Sequence, residues 1–429
     1  MYINRVILEN IKGFKSLDFS FIRPNGGSPA GWTVITGENA SGKTALLKAI
    51  AIALVGPDFA RVLQPSLQGW IRKACGEGEI AVQIKPHDAD KFTAERRPET
   101  AFWSEIELRD AGGPELILKP GDRYRKKQKG PLNGPWAENS PGWFAVGYGP
   151  FRRLYGTSTE AQRLMSGKAR IARFATLFKE DATLGECENW LKELNYKRLE
   201  NKDLESQILD QILRLLNNDF LRNGIAVDRV DSDGLWLKDA EDNVLNLSDM
   251  SEGYRATLAM MVDIIRHLWN MFGPDLRIEE NNGKMQIPHE GVVLIDEVDS
   301  HLHPEWQRNI GIWLKERFPK MQFIVTTHSA LICQAADEQG IFHLPPPGSG
   351  ESPFRLSEED YAKIRRSKAD EILLSPAFGL HHTRSPKAVE ARQNYARYKA
   401  KERSIGLDPQ EEKQMEQFSL FVEEPVEQE

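Results

Sequence analysis

Short runs of apolar residues, some alternating with polar ones, are separated by glycine and proline along the first part of the chain. Alternation is typical of strands, because successive side chains point to opposite faces of a sheet. The pattern predicts strands over residues 2–8, 17–22 and 32–36. Helical spacing then predicts helices over residues 44–54 and 59–73, the first ending at Gly56-Pro57.

The middle of the chain passes from strand-like to helical spacing. Short apolar runs separated by turns over residues 79–120 predict an antiparallel β-lobe. Residues 159–228 are predicted to form a compact helical insert, since the heptads are too short for a coiled-coil arm. Further helices and buried strands are predicted over residues 254–271, 292–295, 304–317 and 322–326.

These patterns predict two halves of one α/β unit separated by the insert. A shift to Gly- and Pro-rich composition after Leu344 marks a linker, and the Glu- and Gln-rich end is expected to be disordered. The predicted division is an N-terminal half at 1–158, the insert at 159–228, a C-terminal half at 229–345, a helical tail at 355–403 and a disordered end at 404–429.

Composition narrows the possible classes of protein. A chain of 429 residues is expected to hold two or three subdomains. The net charge of −7 argues against a surface that binds nucleic acid throughout, so such contact would need a local basic patch. Cysteines without CxxC spacing, the lack of a leader pattern and the lack of a long apolar segment predict a cytoplasmic protein without a membrane span.

A glycine-rich loop lies between the predicted strand at 32–36 and the predicted helix at 44–54. It reads Gly37, Glu38, Asn39, Ala40, Ser41, Gly42, Lys43 and Thr44, which is the pattern GxxxxGK[ST]. Glycines let backbone N–H groups converge on phosphate oxygens, and the helix N-terminus favours the negative charge. The pattern predicts that Lys43 bridges the β- and γ-phosphates of ATP and that the Thr44 hydroxyl binds Mg²⁺.

Three polar residues follow two apolar strands further along the chain. Asp296 ends the strand at 292–295, the position expected for a carboxylate that holds Mg²⁺. Glu297 follows it and is the candidate general base for the attacking water. His328 follows the strand at 322–326 and is the candidate sensor of the γ-phosphate. The alternatives are a solvated acidic strand end and a structural histidine.

In this order and spacing the motifs resemble those of the OLD/RecF/SMC branch of ABC-type ATPases. The opening segment Ile7–Phe14 and the series Asp296–Pro304 carry the resemblance. It implies an α/β fold of the P-loop NTPase class, in the form of an ABC-type ATPase head. This head would carry an antiparallel β-lobe, a helical insert and a small helical C-terminal tail. It also implies ATP and Mg²⁺ held between two heads in a head-to-head dimer, or in multiples of that dimer.

The resemblance also assigns a signature loop. Ser251 and Gly253 match residues that, in this family, contact the γ-phosphate bound by the partner head. Lys12 matches a basic position near the nucleotide. The segment departs from the family pattern at Glu252 and Tyr254, which weakens the expected contact in trans.

Two other positions depart from the commoner cassette pattern. His303 stands where many cassette ATPases have an aspartate in the D-loop. OLD-like members share this departure. No glutamine follows the predicted strand that ends at Tyr148, and Arg152 or Arg153 is a candidate replacement.

The layout resembles the stand-alone ATPases of bacterial anti-phage systems, PtuA of Septu and retron-linked relatives. This implies a sensor or regulator that controls an HNH nuclease or toxin supplied in trans and held by residues 355–403, with no nuclease domain in this chain. A RecF-like DNA-repair ATPase that clamps duplex DNA and an ATP-binding scaffold are the alternatives. The basic run with Arg123, Arg125, Lys126, Lys127 and Lys129 is a candidate DNA contact or a solvated loop.

Overall fold

The computed structural model describes residues 1–23, 28–93, 98, 100–122, 129–138, 140–221 and 224–422. The strands are β1 Tyr2–Ile11, β2 Phe14–Ser20, β3 Gly31–Gly37, β4 Glu77–Lys85, β5 Phe102–Arg109, β6 Ile117–Pro120, β7 Ala145–Tyr148, β8 Ala226–Asp231, β9 Gly234–Lys238, β10 Val244–Asn246, β11 Glu279–Asn281, β12 Lys284–Gln286, β13 Gly291–Ile295, β14 Met321–Thr326, β15 Ile341–Leu344 and β16 Phe354–Arg355. The helices are α1 Lys43–Val55, α2 Pro57–Leu63, α3 Lys129–Asn133, α4 Thr159–Met165, α5 Ala169–Ala172, α6 Ala175–Phe178, α7 Gly185–Leu199, α8 Asp203–Leu216, α9 Glu252–Phe272, α10 Pro304–Arg317, α11 Ala330–Cys333, α12 Glu358–Arg366, α13 Ala369–Leu373, α14 Pro386–Ser404 and α15 Pro409–Ser419.

The central sheet has the strand order β16-β15-β3-β14-β13-β7 among the described residues. Neighbours from β15 to β7 pair in parallel, and β16 joins the edge antiparallel. Strands β7 and β13 are buried and carry no charged residue along their whole length, because both faces of the sheet are covered. In β13, Val293 and Ile295 pack in one core with α9 and α10, while Val292 and Leu294 pack in the other with α1.

The antiparallel β-lobe lies on the other side of α1. It has the order β2-β1-β4-β5-β6, so the two N-terminal strands belong to it. From Leu46 to Val55, α1 is buried apart from Lys48, because it lies between the lobe and the central sheet. Such a helix is apolar on all sides rather than on one stripe.

The helical insert contains α4 to α8, where α7 and α8 pack against each other and α7 packs on α9. The predicted α/β head with a β-lobe, a helical insert and a helical tail is therefore confirmed. The predicted insert boundary at residue 228 nevertheless falls inside β8, which pairs with β9. The sequence prediction missed β8 because polar residues at 228–229 interrupt its apolar alternation.

The predicted helix over 59–73 is wrong beyond Leu63, where α2 ends. Pro65 cannot donate the helical backbone bond, and Gly69 has a φ of 70°, which favours a turn. The chain then passes close to β1, where Ile71 forms an isolated bridge with Ile11.

The predicted tail is partly built into the head. β16 extends the central sheet, and the side chains that follow it are buried in the same core as α9 and α10. These side chains are Leu356, Tyr361, Ile364, Ile372 and Ala377. The hairpin of α14 and α15 is mainly exposed, and among the described residues it contributes no side chain to either core.

The prediction of disorder over 404–429 is wrong for the residues that form α15. Asp408 caps this helix and shares a capping box with Glu411, and Pro409 occupies the first turn. The Tyr398 and Phe418 rings stack with their centroids 6.2 Å apart, which joins α15 to α14. Residues 423–429 lie outside the described residues. Across the described part of the chain, no helix has both the length and the apolar character needed to cross a bilayer.

Candidate functional site

The glycine-rich loop leaves β3 at Gly37 and enters α1 at Lys43, as the sequence predicts. The loop needs its glycines because the backbone has φ values of 147° at Gly37 and 98° at Gly42. A Cβ atom at Gly37 would lie 2.4 Å from the Leu344 carbonyl oxygen, and one at Gly42 would lie 2.6 Å from the Phe14 ring. The neighbouring elements therefore hold the loop in one narrow conformation.

The Lys43 ammonium lies inside this loop. Its Nζ donates to the carbonyl oxygens of Gly37 and Glu38, each at 2.9 Å. Burial lowers the pKa of Lys43, and the carboxylates of Asp296 and Glu297 oppose that effect. Phosphate oxygens would offer the ammonium charged acceptors in place of neutral carbonyls.

Thr44 and Asp296, the two predicted metal ligands, meet directly. The Thr44 hydroxyl donates to Asp296 Oδ2 at 2.6 Å, and the Thr326 hydroxyl donates to Asp296 Oδ1 at 2.6 Å. Asp296 is buried, with 1% of its surface exposed. A hydroxyl and a carboxylate are oxygen ligands of the kind that Mg²⁺ prefers, so these residues fit the ion.

Glu297 lies on a tight turn directly after β13. Its φ of 44° is a backbone conformation that non-glycine residues seldom adopt. Its backbone N–H donates to the Thr326 hydroxyl at 2.8 Å, and its Oε2 accepts from the Ser300 hydroxyl at 3.2 Å. Thr326 of β14 thus holds the backbone of this turn, and Ser300 orients the carboxylate.

His328 follows β14, and Asp299 fixes its turn. Asp299 Oδ1 accepts from the Thr327 hydroxyl at 2.5 Å and from the His328 backbone N–H at 3.3 Å. A cavity of about 690 Å³ joins this histidine to the loop. The predicted site residues that line it are Lys12, Asn39, Ala40, Gly42, Lys43, Thr44, Glu297 and His328.

The family profile described as "AAA domain" matches residues 5–225, which is more than half of the chain. The chain belongs to this AAA domain family. A second AAA domain profile, one associated with type IV toxin–antitoxin systems, matches residues 157–334. Together with the loop geometry, these matches confirm the predicted P-loop ATPase head.

Named relatives include "Septu protein PtuA" of Bacillus mycoides (strain KBAB4), 25% identical over 77% of this chain and 38% of the relative. "Retron Ec83 probable ATPase" of Escherichia coli is 40% identical over 25% of this chain and 18% of that protein. "Retron Vc95 probable ATPase" of Vibrio cholerae serotype O1 biovar El Tor is 31% identical over 30% of this chain and 25% of that protein. The chain spans well under half the length of these curated relatives.

The resemblance to Septu and retron ATPases stated from the motifs is thereby confirmed. Among solved structures, the crystal structure of an SmcHead bound to the C-winged helix domain of ScpA is similar at 17% identity and a TM-score of 0.47. That similarity covers 85% of this chain and 100% of the other.

In this AAA domain, Arg152 contacts the backbone of the acidic residues that follow β13. The guanidinium is buried and donates to the backbone carbonyls of Asp296 and Glu297, each at 3.0 Å. Burial lowers its pKa to about 10, against the attraction of the nearby carboxylates. Arg153 instead lies over the Phe151 ring at 5.4 Å. The sequence could not distinguish the two adjacent arginines.

Two further cations that line the nucleotide cavity, Arg72 and Lys73, were missed by the sequence prediction. Arg72 Nη1 donates to the Gly13 carbonyl at 3.0 Å, so the segment after α2 is attached to the turn that carries Lys12. Burial lowers the pKa of Lys12, whose ammonium lies 5.4 Å from the Trp70 ring centre. Pro65 was the available sign that this segment is not helical.

The structure does not bring Ser251 and Gly253 to the cavity of their own chain. A Cβ atom at Gly253 would lie 2.1 Å from the His301 carbonyl oxygen, so this glycine allows the signature loop to pack against the D-loop. His301 Nδ1 lies 3.5 Å from Glu252 Oε2 across the same contact. The Ser251 side chain is exposed and makes no capping bond to α9. The predicted contact in trans stays a prediction.

His303 has a local role at the start of α10. Its Nδ1 accepts the Glu305 backbone N–H at 3.4 Å, so the ring caps the helix. In the predicted DNA-contact run, Arg123, Arg125, Lys126 and Lys127 lie outside the described residues. Lys129 is exposed at the start of α3.

Proposed function

We propose that the chain binds and hydrolyses ATP with Mg²⁺, and that ATP joins two heads into a dimer that regulates a separate effector in an anti-phage system. The observation that carries the ATPase part is the direct bond between Thr44 and Asp296 at the rim of the P-loop cavity. Lys43, Glu297 and His328 line the same cavity.

Each residue has a distinct part in this proposal. Backbone N–H groups of the loop and the Lys43 ammonium bind the phosphates. Thr44 and Asp296 would hold Mg²⁺, which when bound neutralises charge on the β- and γ-phosphates. Glu297 accepts a proton from the attacking water as general base. The His328 side chain contacts the γ-phosphate and registers its loss.

The position of the signature loop supports the proposed dimer. Ser251 is exposed at the N-terminus of α9 and lies away from its own cavity. Its hydroxyl and the first N–H groups of α9 therefore offer hydrogen-bond donors to a phosphate that is bound by another head. In the resembling family this contact is made in trans, which supports two ATP molecules between two heads.

The effector part of the proposal rests on relatives named for the Septu and retron systems. An HNH nuclease or toxin supplied in trans would dock on residues 355–403. The part of that range on α14 is mainly exposed, whereas α12 and α13 contribute to the core. We therefore assign the docking surface to α14 and its partner α15.

Glu297→Gln tests the catalytic part. Glutamine keeps the size of the side chain but accepts no proton, so ATP turnover should fall by about 10²-fold or more while ATP still binds. Steady-state phosphate release and nucleotide binding measure the two quantities. Glu193→Gln, at an exposed position of α7, is the matched control and should turn over ATP like the parent. Equal turnover in the two variants would contradict the assignment of the base.

A second candidate is an ATPase that clamps duplex DNA. It is favoured by one relative, the "DNA double-strand break repair Rad50 ATPase" of Nanoarchaeum equitans (strain Kin4-M), 35% identical over 22% of this chain. This function would require ATP-dependent DNA binding that weakens steeply with salt. The net charge of −7 favours the first candidate.

A further inference from the structure

A second cavity, separate from the P-loop cavity, lies where four parts of the chain meet. These are α2, the segment before β7, α5 and the end of α9. Its volume is about 480 Å³, within the roughly 300–1,000 Å³ range of small-molecule sites. Arg170 and Arg173 line one wall, and Phe59 and Met271 line another. None of these residues lines the P-loop cavity.

The two guanidinium groups in this cavity carry more charge than their surroundings offset. Lys168 and Glu138 pair with each other at the rim. Burial lowers the pKa of Arg170 to about 10, with Glu138 as the opposing charge. Burial also lowers the pKa of Arg173 to about 10, and the charge of Arg170 lowers it further. Within the described residues, Arg173 has no carboxylate that raises its pKa.

Some donors of these two arginines are also left without acceptors. Arg170 Nη1 and Arg173 Nε are buried nitrogens with no hydrogen-bond partner among the described residues. Arg170 Nη2 donates to the Ala137 carbonyl and Arg173 Nη1 to the Trp143 carbonyl, both of which are neutral acceptors. Buried donors without acceptors and like charges side by side both cost free energy, and an anion between them would offset both costs.

We propose that this cavity is a second ligand site, which binds the phosphate group of a small organic phosphate between Arg170 and Arg173. Guanidinium groups match phosphate because their planar donors can bind two oxygens at once. The Phe59 ring, 5.3 Å from the Arg170 guanidinium carbon, forms an apolar wall for the organic part of the ligand. A mononucleotide has this combination of an anionic end and a flat apolar body.

The cavity is connected to the ATPase centre through α9. His267 lines the cavity, and its Nε2 lies 3.3 Å from Asp263 Oδ2. The same oxygen accepts the Tyr148 hydroxyl at 3.0 Å, at the end of β7. The Tyr148 carbonyl in turn accepts the backbone N–H of Asp296 at 2.8 Å. These bonds connect the cavity wall at His267 to β7 and, through it, to Asp296.

The test uses the full chain with Lys43→Ala, so that the P-loop contributes little to phosphate binding. Isothermal titration with AMP and with inorganic phosphate is compared in this background and after adding Arg170→Gln or Arg173→Gln. Each glutamine variant should weaken AMP binding by about tenfold or more, because it removes charged hydrogen bonds. Arg163→Gln, which removes an exposed arginine of neighbouring α4, is the control and should leave binding unchanged.

Several outcomes overturn the proposal. One is that the Lys43→Ala chain does not bind AMP. Another is that both glutamine variants bind AMP as tightly as the Lys43→Ala chain does. Inorganic phosphate binding as tightly as AMP would overturn the organic part and limit the site to a free anion. If the glutamine variants do not fold, Arg173→Lys keeps the charge but loses the paired donors and should still weaken AMP binding. AMP binding unchanged in Arg173→Lys would then contradict the site.

Discussion

The carbonyl groups of Asp296 and Glu297 are held by a single buried side chain, that of Arg152. A lysine at this position carries all its donors on one nitrogen, so it could not reproduce the arrangement in which Nη1 and Nη2 of Arg152 each reach one carbonyl. The carboxylate of Glu297 would then lose its fixed direction. Arg152 is therefore a positioning residue, and its effect should appear in turnover rather than in nucleotide binding.

We predict that Arg152→Lys lowers kcat by about 10- to 100-fold, the scale of loss that small displacements of catalytic groups cause. The dissociation constant for ATP should change little, since Lys43 and the loop are intact. Arg153→Lys, which alters the neighbour over the Phe151 ring, should keep parental kcat. A fall in ATP affinity with unchanged kcat would show that Arg152 supports the loop instead.

At the scale of elements, α9 is tied to β7 by a buried charge network. Asp263 accepts the Tyr148 hydroxyl at 3.0 Å and the Arg266 guanidinium at 2.7 Å, and it is 4% exposed. Burial alone would raise the pKa of Asp263, but the charges and hydrogen bonds of His267 and Arg266 outweigh it and hold that pKa below its ordinary value. Helix α9 and strand β7, which pairs with β13, thus share one carboxylate.

We predict that Asp263→Asn lowers the free energy of unfolding at pH 7 by about 3 kcal/mol, because it leaves Arg266 buried without its counter-charge. The folded-state pKa of Asp263 is depressed, so its stabilisation is fully present above the unfolded value of about 4 and is lost progressively as pH falls from there towards the lower folded-state pKa. The difference between variant and parent in urea unfolding should therefore shrink near pH 3. Asp210→Asn, at an exposed pair with Arg198, should cost under about 1 kcal/mol. A loss equal to that of Asp210→Asn would argue against the network.

Local patterns predicted most of these elements, because α1, α10 and β13 carry their start, stop and burial signals in their own residues. The P-loop and the residues after β13 and β14 could be located for the same reason, since each follows a continuous apolar strand. Arg72 could not be found in this way, because its place at the cavity depends on the bridge between Ile71 and Ile11. Asp263 could not be found either, since its partner Tyr148 lies 115 residues earlier.

At the scale of the whole molecule, the exposed hairpin of α14 and α15 spans the end of the predicted tail and part of the segment predicted to be disordered. Ile405, between the two helices, is 84% exposed. We predict that Ile405→Asp reduces co-purification with the product of the adjacent gene about tenfold or more, because an apolar anchor would be lost from the interface. Leu199→Asp, at a side chain 72% exposed on α7, is the matched control and should leave the complex intact. Equal capture by both variants would contradict docking on this hairpin.

The proposed dimer places the N-terminus of α9 against a phosphate bound by another head. An aspartate at position 251 would set a carboxylate against that phosphate, and the repulsion should oppose closure of the dimer. Aspartate caps helices as well as serine does, so Ser251→Asp should keep α9 folded. The substitution therefore separates the contact in trans from the stability of the head.

We predict that Ser251→Asp, in the Glu297→Gln background that retains ATP, weakens ATP-dependent dimerisation by about tenfold or more, or about 1.4 kcal/mol. Sedimentation velocity with and without ATP measures the dimer, and nucleotide titration at low protein concentration measures binding to one head. ATP binding to the single head should persist, since Ser251 does not line that cavity. Ser404→Asp, at the exposed end of α14, adds the same charge elsewhere and should dimerise like the parent. Dimerisation that survives Ser251→Asp would mean that the two heads meet through another surface.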